Sequence, residues 1–230
     1  MSSARGEAIG LAWPRYYTVV LLLFAAVFIS YIDRTNISVA AIAMKDDLGW
    51  TETQKGVVLS AFFVGYLLLM AVTGALANRY GGWLVLGVAV LWWSAWTALT
   101  PPAAMMSFGA LIVARIALGL GEAAVFPASM NMISRWVPPE RRSRATALII
   151  SAISLGTVFA LPATGWLVRE FGWALPFYLF GAIGLLWYAA WYFLARDDVP
   201  PPSSSVTSVP IAKRAIPWGQ LLRLPAVWAI

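Results

Sequence analysis

Six long apolar stretches, each near the roughly 20 residues a helix needs to cross a bilayer, alternate with short polar turns along this chain. In hydrocarbon the backbone has to satisfy its own hydrogen bonds, so such stretches are expected to be helices. The short alternating segments of a membrane β-barrel are absent. Composition agrees: 61% of residues are hydrophobic and 11% charged, against about 25% charged in ordinary soluble domains. Mean hydropathy is +0.77. The expected fold class is an all-α integral membrane protein.

The pattern places helices at about Tyr16–Ala43, Lys55–Ala77, Trp83–Thr100, Ala103–Ile133, Ala145–Val168 and Trp173–Leu194. Pro101-Pro102 reads as a break, and Pro127 as a kink or end of the fourth helix. The division is 1–14, a polar segment; 15–195, the six-helix membrane region; 196–216, a Pro/Ser-rich linker; and 217–230, an interfacial helix and the start of a seventh span. No cleavage site of small residues ends the first apolar run, so a membrane helix is expected there and not a removed signal peptide.

The formal charge of +6 and pI near 9.9 come from an uneven distribution. One face of the helix array carries Arg5, Arg15, Arg79, Arg135, Arg141, Arg142, Arg144, Arg196, Lys213, Arg214 and Arg223. The other carries Lys45, Lys55 and Arg169. The positive-inside rule puts the N-terminus and the linker in the cytoplasm, and the basic balance needs no nucleic-acid partner. Trp13, Trp136 and Trp218 on one side and Trp50 and Trp173 on the other suit interfacial belts.

Four charged residues remain inside the apolar segments: Asp33 and Arg34 in the first, Arg115 and Glu122 in the fourth. Charge at bilayer depth is costly and usually lines a polar path or site. Arg115 and Glu122, seven positions apart, share a helix face about 10 Å apart along the axis, with Gly119 and Gly121 between them for close approach of a helix or ligand. Asp33 and Arg34 point about 100° apart and can both border one cavity. The Arg34 fork suits a carboxylate, and Asp33 and Glu122 are the groups able to carry a proton. The competing readings are an ion network that only ties helices together, and an Arg34 that snorkels to the surface. Tyr31 and Tyr66 could offer hydroxyls to a polar substrate or simply pack. Helices one and four open two three-helix units, each with an arginine and an acid, as expected for inverted repeats with a site at their interface. Without cysteine or histidine, thiolate chemistry is excluded and a proton relay has to use Asp or Glu.

The segments Tyr31-Ile-Asp33-Arg34-Thr-Asn36, Arg115…Gly119-Leu-Gly121-Glu122…Phe126-Pro127 and Arg135-Trp136-Val-Pro138-Pro-Glu140-Arg141-Arg-Ser-Arg144 resemble the first helix, fourth helix and 4–5 loop of the anion:cation symporters in the major facilitator superfamily. Pro217-Trp218…Leu221-Leu222 is similar to the entry to that family's helix seven. Relatives of this kind carry galactonate, glucarate, hexuronate, phosphate, sialic acid and vesicular glutamate. The resemblance implies the N-terminal lobe, two inverted three-helix repeats, of a twelve-helix transporter about twice as long, whose missing C-terminal lobe would be its partner. Arg34 would bind substrate with Tyr31, Tyr66 and Arg115. Asp33 and Glu122 would couple protons, and Asn78, Arg79, Glu140 and Arg144 would lie in the gating loops.

Two departures stand out. Asn78 occupies the usual aspartate position of the 2–3 loop motif, and helix five lacks a cavity glutamine, with Ser151 and Ser154 the nearest polar groups. The expected function is proton-coupled symport of a small organic anion, a sugar acid by analogy, in a bacterial inner (plasma) membrane with the lipid bilayer as its surroundings. No cofactor is expected; the proton is the coupling ion, with sodium as the alternative. Sodium-coupled phosphate uptake, anion exchange and a transport-dead sensor are the other readings. An enzyme ranks last, since no nucleophile–base pair, metal cluster or phosphate loop is evident.

Overall fold

The computed structural model describes residues 15–195. The expectations for 1–14, the linker and the start of a seventh span fall outside them. The elements are α1 (Arg15–Leu48), α2 (Glu52–Tyr80), α3 (Gly82–Met106), α4 (Phe108–Glu122), α5 (Val125–Trp136), α6 (Arg142–Phe171) and α7 (Ala174–Leu194), with a 3₁₀ turn at Pro139–Arg141. α4 and α5 form one interrupted span, so six helical segments are long and apolar enough to cross a membrane.

Helix ends follow local chemistry. α2 begins earlier than the hydropathy pattern indicates because Thr51 and Gln54 form a capping box: Thr51 Oγ1 accepts the Gln54 amide at 3.2 Å, and Gln54 Oε1 accepts the Thr51 amide at 2.9 Å. The Pro101-Pro102 pair does not break the chain; both lie inside α3. A membrane helix can keep interior prolines where neighbours and hydroxyls absorb the freed backbone groups. The break comes at Ser107, whose extended backbone (φ −171°) ends α3 and whose Oγ caps α4 by accepting the Ala110 amide at 3.1 Å.

The fourth span is interrupted at Ala123-Ala124, just ahead of Pro127. Proline at 127 has no N–H for the carbonyl four residues back, that of Ala123. A hydroxyl from another helix approaches that carbonyl instead: Thr73 Oγ1 of α2 shares its single proton between Ala123 O at 3.1 Å and Met70 O of its own helix at 2.9 Å.

Packing follows two interchangeable units, α1–α2–α3 and α4/α5–α6–α7. α1 lies along α6, and α2 lies reciprocally along α4. α3 and α7 pack on each other, α3 packs on α4, and α7 packs on α1. Exchanging the units reproduces the same neighbours, as inverted repeats require. Close approach is placed equivalently. A Cβ on Gly65, midway along α2, would collide with the Ile116 carbonyl of α4, and one on Gly156, midway along α6, would meet the Phe28 carbonyl of α1 at 2.7 Å. The second helix of each unit also ends alike, as Tyr80-Gly81-Gly82-Trp83 and Phe171-Gly172-Trp173, with Gly81 at φ +87° and Gly172 at φ +84°.

The largest buried cluster fills the middle and basic end of the bundle around Trp93, Trp187 and Trp191. A second gathers Trp50, Phe108, Trp173 and Phe177 at the opposite end. Trp50 and Trp173 are thus buried between helices and do not form the lipid-facing belt their positions suggested; the Trp173 indole donates to Asp47 Oδ2 at 2.9 Å.

Candidate functional site

The four intramembrane charges converge. Arg34 Nη2 of α1 donates to Glu122 Oε2 of α4 at 2.9 Å. Ser30, one turn before Arg34, donates its hydroxyl to the same oxygen at 2.9 Å. Glu122 is fully buried, and Arg34 keeps 20% of its side chain exposed, so the pair runs from the interior to an open face.

Contact between α2 and α4 completes the site. Gly65 meets Ile116 and Gly119 meets Phe62 backbone to backbone, leaving no room for a side chain at either glycine. Gly121 lets Trp92 and Trp93 of α3 close on the other side, and the Trp92 indole donates to Ala117 O at 2.7 Å. This brings Phe62 and Tyr66, stacked at 5.7 Å, up to the guanidinium. Arg34 Cζ lies 4.8 Å from the ring centroids of Tyr31, Phe62 and Tyr66. Arg115 Cζ lies 5.4 Å from the Phe62 ring, which therefore serves both arginines.

Several polar atoms below this cage are buried without a hydrogen-bond partner among the described residues. They include both carboxylate oxygens of Asp33, Glu122 Oε1, and Nε and Nη1 of Arg115. Asp33 lies within electrostatic range of Arg115 and Glu122 and beside the Thr97 hydroxyl of α3. Polar groups buried this way ordinarily find a partner, and exceptions mark ions, water or function. The site has a floor of Asp33, Phe62, Arg115 and Glu122 and a half-buried mouth of Tyr31, Arg34 and Tyr66.

All six residues expected at the centre are thus brought together, with one change of partner: Glu122 bonds to Arg34, not to Arg115 on its own helix. Ser30 and Phe62 were not anticipated; Ser30 sits one turn from Arg34, and Phe62 one turn from Tyr66. The expected loop residues share one end of the bundle without joining each other. Asn78 Oδ1 accepts from Asn131 Nδ2 at 3.1 Å, and Asn131 Oδ1 accepts the Gly82 amide at 3.0 Å, so a neutral amide chain ties the α2–α3 turn to α5. Arg79 lies against the Tyr80 ring. Glu140 stands exposed in the 3₁₀ turn, and Arg144 in the first turn of α6. Ser151 and Ser154 lie on the exposed side of α6, away from the charges.

Comparison with known proteins agrees with this architecture. The Major Facilitator Superfamily model matches residues 23–230. The chain is 38% identical, over 95% of its length and 39% of the relative's, to the probable chloroplastic anion transporter 4 of Oryza sativa subsp. japonica. It is 37% identical, over 97% of its length and 46% of the relative's, to the chloroplastic sodium-dependent phosphate transport protein 1 of Arabidopsis thaliana. The chain therefore spans less than half the length of these two relatives. Among solved structures, a bacterial homologue of the human lysosomal transporter Spinster, inward-facing and occupied, superposes with a TM-score of 0.73 at 25% identity, over 85% of this chain and 47% of that one. Six membrane helices in two inverted units, a match over nearly the whole chain and half-length coverage lead to one assignment: the chain belongs to the major facilitator superfamily and forms the amino-terminal six-helix lobe of that fold.

Proposed function

We propose that this lobe belongs to a secondary transporter that takes up a small organic anion, a sugar acid by analogy, together with protons. The supporting observation is the Arg34–Glu122 pair at 2.9 Å inside an aromatic cage. Arg34 offers a carboxylate-binding fork at the mouth, but Glu122 occupies it. An incoming carboxylate competes with Glu122 for the same donors. A proton on Glu122 removes its negative charge, weakens its hold on Arg34 and frees the fork. Anion and proton then enter together, because each makes room for the other. Asp33, buried near Arg115 and the Thr97 hydroxyl, is the second proton carrier, and Arg115 offsets the negative charge of the two acids.

Alternating access needs a second lobe to rock against. α2 and α6 expose Phe63, Leu67, Leu68, Leu155, Val158 and Phe159, apolar faces suited to a second lobe or to lipid. Asn78, Arg79, Glu140 and Arg144 lie at the basic end, which the positive-inside rule assigns to the cytoplasmic side. Closing this end against the second lobe would seal the cytoplasmic side.

The test is uptake of radiolabelled galactonate, glucarate and phosphate by vesicles carrying the full-length gene product, under an imposed pH or sodium gradient. Sugar-acid accumulation driven by the pH gradient supports the reading. The Arabidopsis relative motivates a second one, sodium-coupled phosphate uptake; accumulation of phosphate that follows sodium and ignores pH would replace the first reading with it.

A further inference from the structure

Three arginines follow Pro139 at the basic end of the bundle, and they do different things. Arg142 is committed to the backbone: Nη2 donates to Ser134 O at 2.6 Å and Nε to Val137 O at 3.0 Å, closing the C-terminal end of α5. Arg141 and Arg144 turn elsewhere and line a cleft of about 160 Å³ between the first turns of α1 and α6. Arg141 Nη1 donates to the Tyr16 hydroxyl, and to the Tyr17 hydroxyl at 2.6 Å. The two phenol rings pack at 4.2 Å, and the guanidinium lies over Tyr16. Arg144 has no hydrogen bond or ion pair among the described residues. Among the described residues no carboxylate lines the cleft; its remaining walls are Val20, Val137, Ala145 and Leu148.

Two cations held beside phenol hydroxyls, above an apolar wall, at the ends of membrane-crossing helices form an amphipathic socket. Its charged part requires an anion, and its apolar part, Val20 and Leu148, lies about one turn deeper along α1 and α6. We infer that this cleft binds the phosphate of an anionic phospholipid in the adjoining leaflet. Arg141 and Arg144 contact the phosphate, and the first acyl carbons lie on Val20 and Leu148. The surrounding bilayer supplies such phosphates at this depth, and a juxtamembrane arginine attracts them. This site is separate from the Arg34–Glu122 centre and independent of what that centre carries.

The test is lipid retention by the full chain in non-ionic detergent, read by native mass spectrometry during titration with phosphatidylglycerol or phosphatidylcholine. The unsubstituted protein should hold phosphatidylglycerol more tightly than phosphatidylcholine, and R141Q/R144Q should lose on the order of tenfold of that preference. R169Q, at the opposite end, should keep it. An unchanged preference in R141Q/R144Q overturns the inference. If that protein does not fold, R144Q alone decides, since Arg144 has no bond to lose within the described residues; it should lose about threefold or more, and no loss overturns the inference. Millimolar inorganic phosphate that displaces phosphatidylglycerol from the unsubstituted protein would reassign the cleft to a soluble anion and overturn the lipid assignment.

Discussion

Arg34 and Glu122 stand 88 positions apart in the chain and meet at 2.9 Å inside the bundle, one from each three-helix unit. The pair closes the interface between the units with the groups proposed to bind anion and proton. Replacing either partner should therefore separate the two functions. Glu122→Gln is expected to abolish pH-driven accumulation while leaving exchange of labelled for unlabelled anion largely intact. Counterflow and uphill uptake measured on the same vesicles check this; full pH-driven accumulation by the variant would remove Glu122 from coupling.

Arg34→Lys preserves the charge but loses the planar fork and much of its fit among three rings. The concentration for half-maximal uptake is expected to rise by at least about tenfold, the worth of one charge-assisted hydrogen bond. An unchanged value would mean that the anion docks elsewhere.

Gly65 and Gly119 bring α2 and α4 into backbone contact. Gly65→Ala or Gly119→Ala forces a methyl into an opposing carbonyl and should destabilise the lobe by about 1–3 kcal/mol. Thermal unfolding in detergent reads this directly. Gly165→Ala, in α6 where nothing approaches within 4 Å, should leave the midpoint unchanged or raise it, since alanine is the better helix former.

Thr73 stands in for the N–H that Pro127 lacks. Thr73→Val should cost about 1 kcal/mol by leaving the Ala123 carbonyl without a donor. In a Pro127→Ala background the restored N–H at position 127 can reach that carbonyl, and the same Thr73→Val change should cost less. A double-mutant cycle on unfolding midpoints measures the difference; strict additivity would show that the two groups do not share this role.

Hydropathy alone located the six spans, and the cost of intramembrane charge singled out Asp33, Arg34, Arg115 and Glu122 before any geometry was known. Ends and partners were harder to read. Pro101-Pro102 looked like a break because proline disrupts isolated helices, whereas the end of α3 depends on Ser107, whose hydroxyl caps the following helix. That signal was present: a serine directly ahead of an apolar helical run. The Arg34–Glu122 pairing was not readable, because one-dimensional spacing joins Arg115 to Glu122 on a shared face and is silent about how α1 sits against α4. Phe62 escaped notice for a related reason. An aromatic in an apolar helix looks like packing until the contact at Gly119 places its ring against two guanidinium groups.

The interruption at Ala123-Ala124 gives the fourth span the mechanics of a jointed lever. Glu122 is the last residue of the fixed arm, held by Arg34 and Ser30. α5 is the second arm, 12 residues long, or about 18 Å, and Asn131 ties it to the α2–α3 turn. A tilt of about 10° at the joint carries the Trp136 end through about 3 Å while the carboxylate stays in place. A tilt of α5 together with the α2–α3 turn it is tied to would therefore move the basic end more than the charged centre, which sits at the fulcrum.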